Sequence, residues 1–283
     1  MAETYHNFHP PCMYLQTMET KEAPVQTKTG RDFSYAVLGS GSKGNATLVK
    51  AENTLIMIDC GLPIELLTER LDAKNIDPKS ITAILISHEH GDHIHGLGDF
   101  NRIHDCPIYM TKGTYYAQKQ VKKNWSKVIY EETVSIGDVE VFPFRVSHDS
   151  RMPSHFTFTF DGRKFGHLTD TGSFSQDMIN SLTDCDALAI EFNYDDQMLS
   201  QGIYPDWLKK RVASDVGHLS NDQAFELVSR INNPKLQWLV MLHISLKNNS
   251  FDCIENSLKK FSSLDKIKTY YADQFIPSPW FDI

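Results

Sequence analysis

The chain has 283 residues, 41% hydrophobic and 23% charged, with 28 Lys and Arg against 36 Asp and Glu for a net charge of −8. That length supports a sizeable core, and the charge argues against a general nucleic-acid coat, though not against an enzyme whose bound cations bring positive charge to one site. Five cysteines at 12, 60, 106, 185 and 253 are odd in number, widely spaced and without a C-x-x-C pair, which argues against a disulfide framework or a cysteine zinc site and leads us to expect a cytoplasmic protein with reduced thiols. No apolar run approaches the roughly 20 residues of a membrane span, and no basic flank with an apolar core suggests a secretory leader, so no membrane partner is expected.

Residues 1–32 are polar, carry Pro10, Pro11 and Pro24 and show no sustained period, so they are expected to be an extension outside the core. From Phe33 onward "FSYAVL", "ATLVK" and "TLIMIDC" read as strands separated by turns. "LPIELLTERLDAKN" reads as an amphipathic helix, and "ITAILIS" as a short buried strand. Further strands are expected at "PIYM", "VEVFPFRV", "HFTFTF", "RKFGHLT", "ALAIEF" and "LQWLVMLH". Helices are expected near 113–124, 173–182, 197–213, 220–232 and 250–261. This order fits an α/β fold with two sheets inside and helices outside. "GSGSKG" (Gly39–Gly44) matches the G-x-G-x-x-G of dinucleotide sites, but strand-like "NATLVK" follows where that motif needs a helix. A tight glycine turn between two strands is therefore expected.

The densest signal is "SHEHGDHIHG", which begins where the strand "ITAILIS" ends. In extended backbone His88 and His90 point the same way and can bind one ion together. A turn at Gly91 swings Asp92 and His93 toward a second ion. Imidazole nitrogen and carboxylate oxygen are normal ligands for zinc and similar borderline ions. His88, His90, Asp92 and His93 together spell H-x-H-x-D-H, which resembles the signature of the metallo-β-lactamase superfamily. The resemblance implies a four-layer αββα sandwich over residues 33–283, with the site at one edge of two sheets. It also implies further ligands in order: His148 in "FRVSHDS", Asp170 in "FGHLTDTG" and His243 in "LVMLHIS". His88, His90 and His148 would hold one divalent ion, Asp92, His93 and His243 the other, and Asp170 would bridge them. Zinc, manganese or iron all suit that donor set. Asp59, in "IMIDCG", sits where the family keeps a buried aspartate that fixes the tautomer of a ligand histidine.

Within the superfamily, Asp170 argues against the lactam hydrolases, which lack a bridging aspartate, and "VSHDSRMP" departs from the Pro-Gly-His-Thr setting of the glyoxalase-type thioesterases. The interval from Asp170 to His243 is too short for the inserted cap of one group of RNA-cleaving members. "AIEFNYD" and "GHLSNDQAFEL" are similar to ribonuclease Z segments in which a glutamate and a histidine act on the leaving group, here Glu191 and His218. Ser220 also reads as a helix N-cap with Gln223 three residues on. "LGSGSKGN", "IDCG", "HEHGDH", "VSHD", "TDTG", "EFNYD" and "SDVGHLSN" together resemble the small bacterial exonucleases of the WalJ or YycJ kind. "MLHIS" and the aromatic tail "QFIPSPWFDI" depart from that pattern, and the tail is expected to bear on substrate access or oligomer contacts.

What the resemblance implies is a two-metal phosphodiester hydrolase, a DNA exonuclease acting in repair, with nucleic acid as substrate. His218, Glu191 and Asp92 would be its catalytic residues. The alternative is a small-substrate metallo-hydrolase such as a cyclic-nucleotide phosphodiesterase or lactonase, and a third reading is a binding protein that kept the fold. The oligomeric state stays open, a dimer included. His155 and His167 read as satisfied structural histidines, and His95 and His104 as surface or supporting groups. Asn45 and Ser42 are candidates for the cleft lining. Lys209, Lys210 and Arg211 are candidates for a nucleic-acid backbone contact, against the plainer reading of a solvated helix face.

Overall fold

In the computed structural model the described residues are 31–121, 125–128, 130–261, 264 and 266–283. The expected extension lies, up to residue 30, outside them, as do residues 122–124 of the helix expected over 113–124, which ends earlier, at Ala117, where Gln118 turns to extended backbone.

Among the described residues the strands form two seven-stranded sheets. The first begins with an antiparallel run, β1 (Phe33–Gly39), β2 (Ala46–Ala51) and β3 (Thr54–Ile58). Helix α1 (Ile64–Ala73) then leads to β4 (Ala83–Leu85), parallel to β3. Helices α2 (Gly91–Ile94) and α3 (Leu97–His104) lead to β5 (Ile108–Thr111), and α4 (Lys112–Ala117) precedes β6 (Trp125–Val128). The second sheet repeats this plan. Strands β7 (Val134–Ile136), β8 (Val139–Arg145), β9 (Ser154–Phe160) and β10 (Arg163–Leu168) are antiparallel. Helix α5 (Gln176–Leu182) then reaches β11 (Ala187–Glu191), and α6 (Asp196–Gln201), α7 (Asp206–Val212) and α8 (Asn221–Ile231) precede β12 (Trp238–Leu242). Helix α9 (Phe251–Leu258) leads to β13 (Lys268–Tyr271), parallel to β12, and β14 (Phe281–Asp282) returns to pair antiparallel with β1.

The layers follow from which faces are apolar. Val37, Val49, Ile56 and Leu85 of the first sheet meet Phe156, Phe158, Phe165 and Val240 of the second. Tyr35 stacks on Phe165 across that interface, ring centroids 4.2 Å apart. Leu48, Met57 and Ile84 turn outward onto Leu67 and Leu71 of α1 and Phe100 of α3. Leu188, Ile190, Leu239 and Met241 turn outward onto Met178 of α5, Phe225 of α8 and Ile254 of α9. Both faces of the central strands are thus buried, so "AIL", "ALAI" and "LVML" read as continuous apolar runs. Each fully buried large side chain contributes about 1.5–3 kcal/mol. The result is the expected αββα arrangement. No helix of the described residues is long and apolar enough to cross a membrane.

Three expectations change. The helix expected over 197–213 is two, α6 and α7, because Pro205 lacks an N–H and disfavours helical backbone just before it. Strands β6, β7, β13 and β14 were not expected, being short. The aromatic tail is structural in part: Phe281 and Ile283 are buried, and β14 covers the edge of the first sheet at β1. Buried Arg70 of α1 fixes the segment before it, donating to the carbonyls of Leu38 (2.5 Å), Gln274 (3.0 Å) and Phe275 (3.0 Å).

The glycine-rich stretch is the tight turn expected between β1 and β2, with positive φ at Gly41 (129°) and Gly44 (141°), which L side chains rarely adopt. Gly61 is needed for a different reason. A Cβ there would sit 1.7 Å from the carbonyl oxygen of Asp92. Gly61→Ala must push the Asp92 backbone aside, and overpacking of that kind costs about 1–3 kcal/mol or more. A lowered urea midpoint is therefore expected, with a parallel loss of metal uptake by atomic absorption.

Candidate metal centre

Strand ends β4, β8, β10, β11 and β12 bring their following residues to one edge of the sandwich. There, side-chain atoms of His88, His90 and His148 converge, and those of Asp92, His93, Asp170 and His243 form a second group. Asp170, Glu191, His218 and His243 form a third that overlaps the second. All seven ligands expected from the sequence, and both expected partners at the leaving-group position, therefore meet in one place.

In the first group His90 Nδ1 lies 3.1 Å from His88 Nε2 and 3.1 Å from His148 Nε2. Ligand nitrogens of a tetrahedral ion bound at about 2.0–2.1 Å stand roughly this far apart. The remote nitrogens are engaged elsewhere: His148 Nδ1 donates to Gly217 O (3.0 Å), and His88 Nδ1 meets Ser87 Oγ (3.0 Å). Burial pushes the pKa of both His88 and His148 down, and their neighbouring histidines push the same way. Three imidazole nitrogens thus converge at hydrogen-bonding distance, a donor set that a cation among them would suit.

The second group carries the negative charge. Asp59, 1% exposed, accepts from His93 Nδ1 at 2.7 Å, so the expected tautomer-fixing aspartate is in position. His93 Nε2 contacts Asp170 Oδ2 and stands 3.7 Å from Asp92 Oδ2. His243 Nε2 is buried without a hydrogen-bond partner, 3.6 Å from Asp92 Oδ2. Burial opposes charge on His243, but Asp170, Asp92 and Glu191 more than offset it and raise its pKa to about 10. His93 rises for the same reason through Asp59, Asp170 and Asp92. Burial works against the Asp92 carboxylate, yet His93 and His243 hold it at about 2. Positive charge is wanted at this point, and an orphaned imidazole nitrogen among carboxylates is a donor set that fits a divalent cation. Asp170 spans the groups, with Oδ2 3.8 Å from His88 Nε2 and Oδ1 3.1 Å from His243 Nδ1.

In the third group, Glu191 Oε1 accepts from His218 Nδ1 at 2.7 Å and lies 3.2 Å from His243 Nδ1. Glu191 Oε2 accepts from the amides of Thr171 (3.0 Å) and Leu219 (3.2 Å), so the carboxylate cannot turn. Burial lowers the His218 pKa, but Glu191 and Asp170 outweigh it and raise it to about 9. The Ser220–Gln223 capping box starts α8 two residues beyond His218 and fixes the loop that carries it.

Several supporting residues received no role from the sequence. Ser40 Oγ accepts from His243 N (2.7 Å), Asn193 Nδ2 donates to His243 O (3.0 Å), and Ser87 donates to Asp59 from its amide (2.8 Å) and hydroxyl (2.9 Å). Asn193 and Asp149 lie inside quoted motifs, one in "EFNYD" and one in "VSHD", but their partners are distant in sequence. Asn45, a candidate for the lining, is buried with Nδ2 3.1 Å from His93 Nε2. Ser42 is exposed, His95 is exposed and His104 packs on Phe100. His155 and His167 are buried as expected but not satisfied: neither His155 nitrogen nor His167 Nδ1 has a hydrogen-bond partner. Burial holds both neutral, His167 at about 3.

Residues 54–244 match the model of a family described as the beta-lactamase superfamily domain. The chain is 35% identical to the exodeoxyribonuclease WalJ of Streptococcus pneumoniae over 224 residues, 77% of this chain and 83% of that one. It is 33% identical to the exodeoxyribonuclease YycJ of Bacillus anthracis over 220 residues, 76% and 83% of the two chains. Among solved structures, the metallo-beta-lactamase fold protein YhfI of Bacillus subtilis superposes with a TM-score of 0.70 at 16% identity, covering 90% of this chain and all of that one.

Each of the first two groups draws side chains from loops of both sheets. Divalent metal is therefore expected to raise the thermal midpoint and a chelator to lower it, read by calorimetry. Asp59→Asn removes the acceptor that fixes His93, and a 10–100-fold loss of metal affinity in a chelator competition is expected.

Proposed function

The chain belongs to the beta-lactamase superfamily as a hydrolase of its nuclease and phosphodiesterase kind, and from that premise we propose that it is an exonuclease acting on DNA, in repair, in the cytoplasm. The observation that carries this reading is the Glu191–His218 pair at 2.7 Å, set against Asp170 at the edge of the metal groups. Phosphodiester cleavage has a leaving oxygen that must be protonated, and a histidine held there by a buried carboxylate is an acid placed for that step. The two exodeoxyribonucleases, 35% and 33% identical over 77% and 76% of this chain, support the same reading.

We assign two divalent ions to the site, zinc, manganese or iron, one to His88, His90 and His148 and one to Asp92, His93 and His243, with Asp170 between them. Bound there, two such ions would lower the pKa of water and polarise a phosphoryl oxygen. The protein's own part is orientation and proton delivery. Asp59, Gly217 O and Ser87 hold the remote nitrogens of His93, His148 and His88, so the inward nitrogens have fixed directions. Asp92 and Asp170 contribute the negative charge that retains the cations. Glu191 accepts a hydrogen bond from Nδ1–H of His218 and leaves Nε2–H as the group that can give a proton to the leaving oxygen. Residues 33–283 are the unit to which this activity is assigned.

Metal-analysed protein, reloaded with manganese or zinc, is expected to release label from end-labelled single- or double-stranded DNA, and an Asp92→Ala variant is not. Intact DNA beside rapid turnover of bis-p-nitrophenyl phosphate would move the substrate to small phosphodiesters and sink the exonuclease reading. His218→Ala is expected to lower kcat on DNA by about 10²–10⁴-fold at unchanged metal content. Full activity in that variant would remove His218 from the mechanism.

A further inference from the structure

Helix α7 stands beside the metal groups and ends at the loop that carries His218: the His218 amide donates to Val212 O at 2.9 Å. Arg211, in its last turn, holds Asp149 through Nε (2.6 Å) and Nη2 (3.1 Å). The same carboxylate reaches the first metal group, since Oδ1, which accepts from Nη2, is 3.5 Å from His148 Nε2 and 3.8 Å from His90 Nε2. A guanidinium has five N–H donors, and this pairing leaves the two on Nη1 pointed away from Asp149. Arg211 is half exposed, at 47%. Lys210 beside it is exposed as well.

Four residues earlier, on the same face of α7, is Trp207. It is 67% exposed, and Ile203, just before the helix, is 84% exposed. An indole left in water on the helix that reaches the His218 loop leaves bare an apolar face that a ligand could cover. Nearby, Lys247 Nζ lies 5.6 Å over the ring of Tyr204, so a further cation stands beside an aromatic ring in the same wall. One helical turn, about 6 Å, separates Trp207 from Arg211. That is comparable with one step along an extended nucleotide chain.

Building on the exonuclease reading, we propose that α7 is a binding strip for single-stranded nucleic acid, with Arg211 on a backbone phosphate next to the scissile one and Trp207 stacked on the base beyond it. Ring and cation stand one turn apart on the helix as base and phosphate succeed each other along a strand. Only an unpaired base offers its free face to the indole, so the strip selects frayed or single-stranded ends and does so without reading sequence. Arg211 keeps Asp149 while it does this, which holds the helix in register with the metal groups.

The test compares two substrates of the manganese-loaded full chain: a single-stranded oligothymidylate and bis-p-nitrophenyl phosphate, which has no base to stack. For Trp207→Ala the ratio of kcat/KM on the oligonucleotide to that on the small ester is expected to fall about five- to a hundredfold, by the usual worth of one base–aromatic stack. Trp207→Phe is expected to restore most of the ratio. An unchanged ratio, or parallel losses on both substrates, would overturn the strip while leaving the exonuclease reading intact. Wild-type protein that hydrolyses the small ester and leaves every oligonucleotide whole would overturn the exonuclease reading and the strip with it.

Discussion

The carboxylate of Asp59 is buried at the end of β3 and accepts three hydrogen bonds from a loop two elements away: Ser87 N, Ser87 Oγ and His93 Nδ1. A buried carboxylate is costly unless its lone pairs are filled, and here the histidine-rich loop fills them. The same cluster reaches a site residue through the backbone. Gly61 lets the Asp92 carbonyl pass against the chain just after Asp59, and the amide of Asn45 donates to that carbonyl at 2.8 Å. Asp59 adopts φ of 59°, a left-handed conformation that aspartate tolerates better than most residues. Strand end, glycine turn and metal loop thus form one unit, and none keeps its geometry without the others.

From that unit outward, the centre is arranged through the unused nitrogen of each histidine. An imidazole offers two nitrogens, and which one faces inward depends on what holds the other. Ser87, Asp59, Gly217 O and the Glu191–Asn193 pair hold the outer nitrogens of His88, His93, His148 and His243. His90 is the looser member. Its Nδ1 faces inward, its Nε2 is 3.8 Å from Asp149, and its side chain is 30% exposed. That looser position lies beside Asp149, which Arg211 of α7 holds.

The sequence displayed the fold and the donors well for one reason: both are local signals. Strands buried on both faces are short apolar runs, and donors at strand ends follow them directly, as in "ITAILIS" before His88 and "LVML" before His243. What it did not display depends on contacts between distant segments. Ser40 reads as part of a glycine turn, yet it accepts from the amide of His243. Asp149 follows His148 immediately, but its meaning comes from Arg211, far along the chain. The break between α6 and α7 is legible at Pro205, a local signal. The tail's end likewise depends on distant contacts: Phe281 lies in β14, paired with β1, and both Phe281 and Ile283 are buried.

The two sheets contribute unequally, and the inequality bears on how substrate is chosen. From the first sheet come four donors on one loop, His88 through His93, tied down by Asp59. From the second come donors spread over separate strand ends, together with Glu191, His218 and the whole of α6 and α7. The first metal group needs His148 from the second sheet and the second group needs Asp170 and His243, so the donors close only when the sheets are packed together. Packing across Tyr35 and Phe165 is therefore a condition for the chemistry, not only for stability. The segment between β11 and β12 carries none of those donors but holds His218 and the exposed Trp207 and Arg211 of α7. Changes there can alter what is bound while the chemistry of the centre persists, which is how one fold supports several hydrolases.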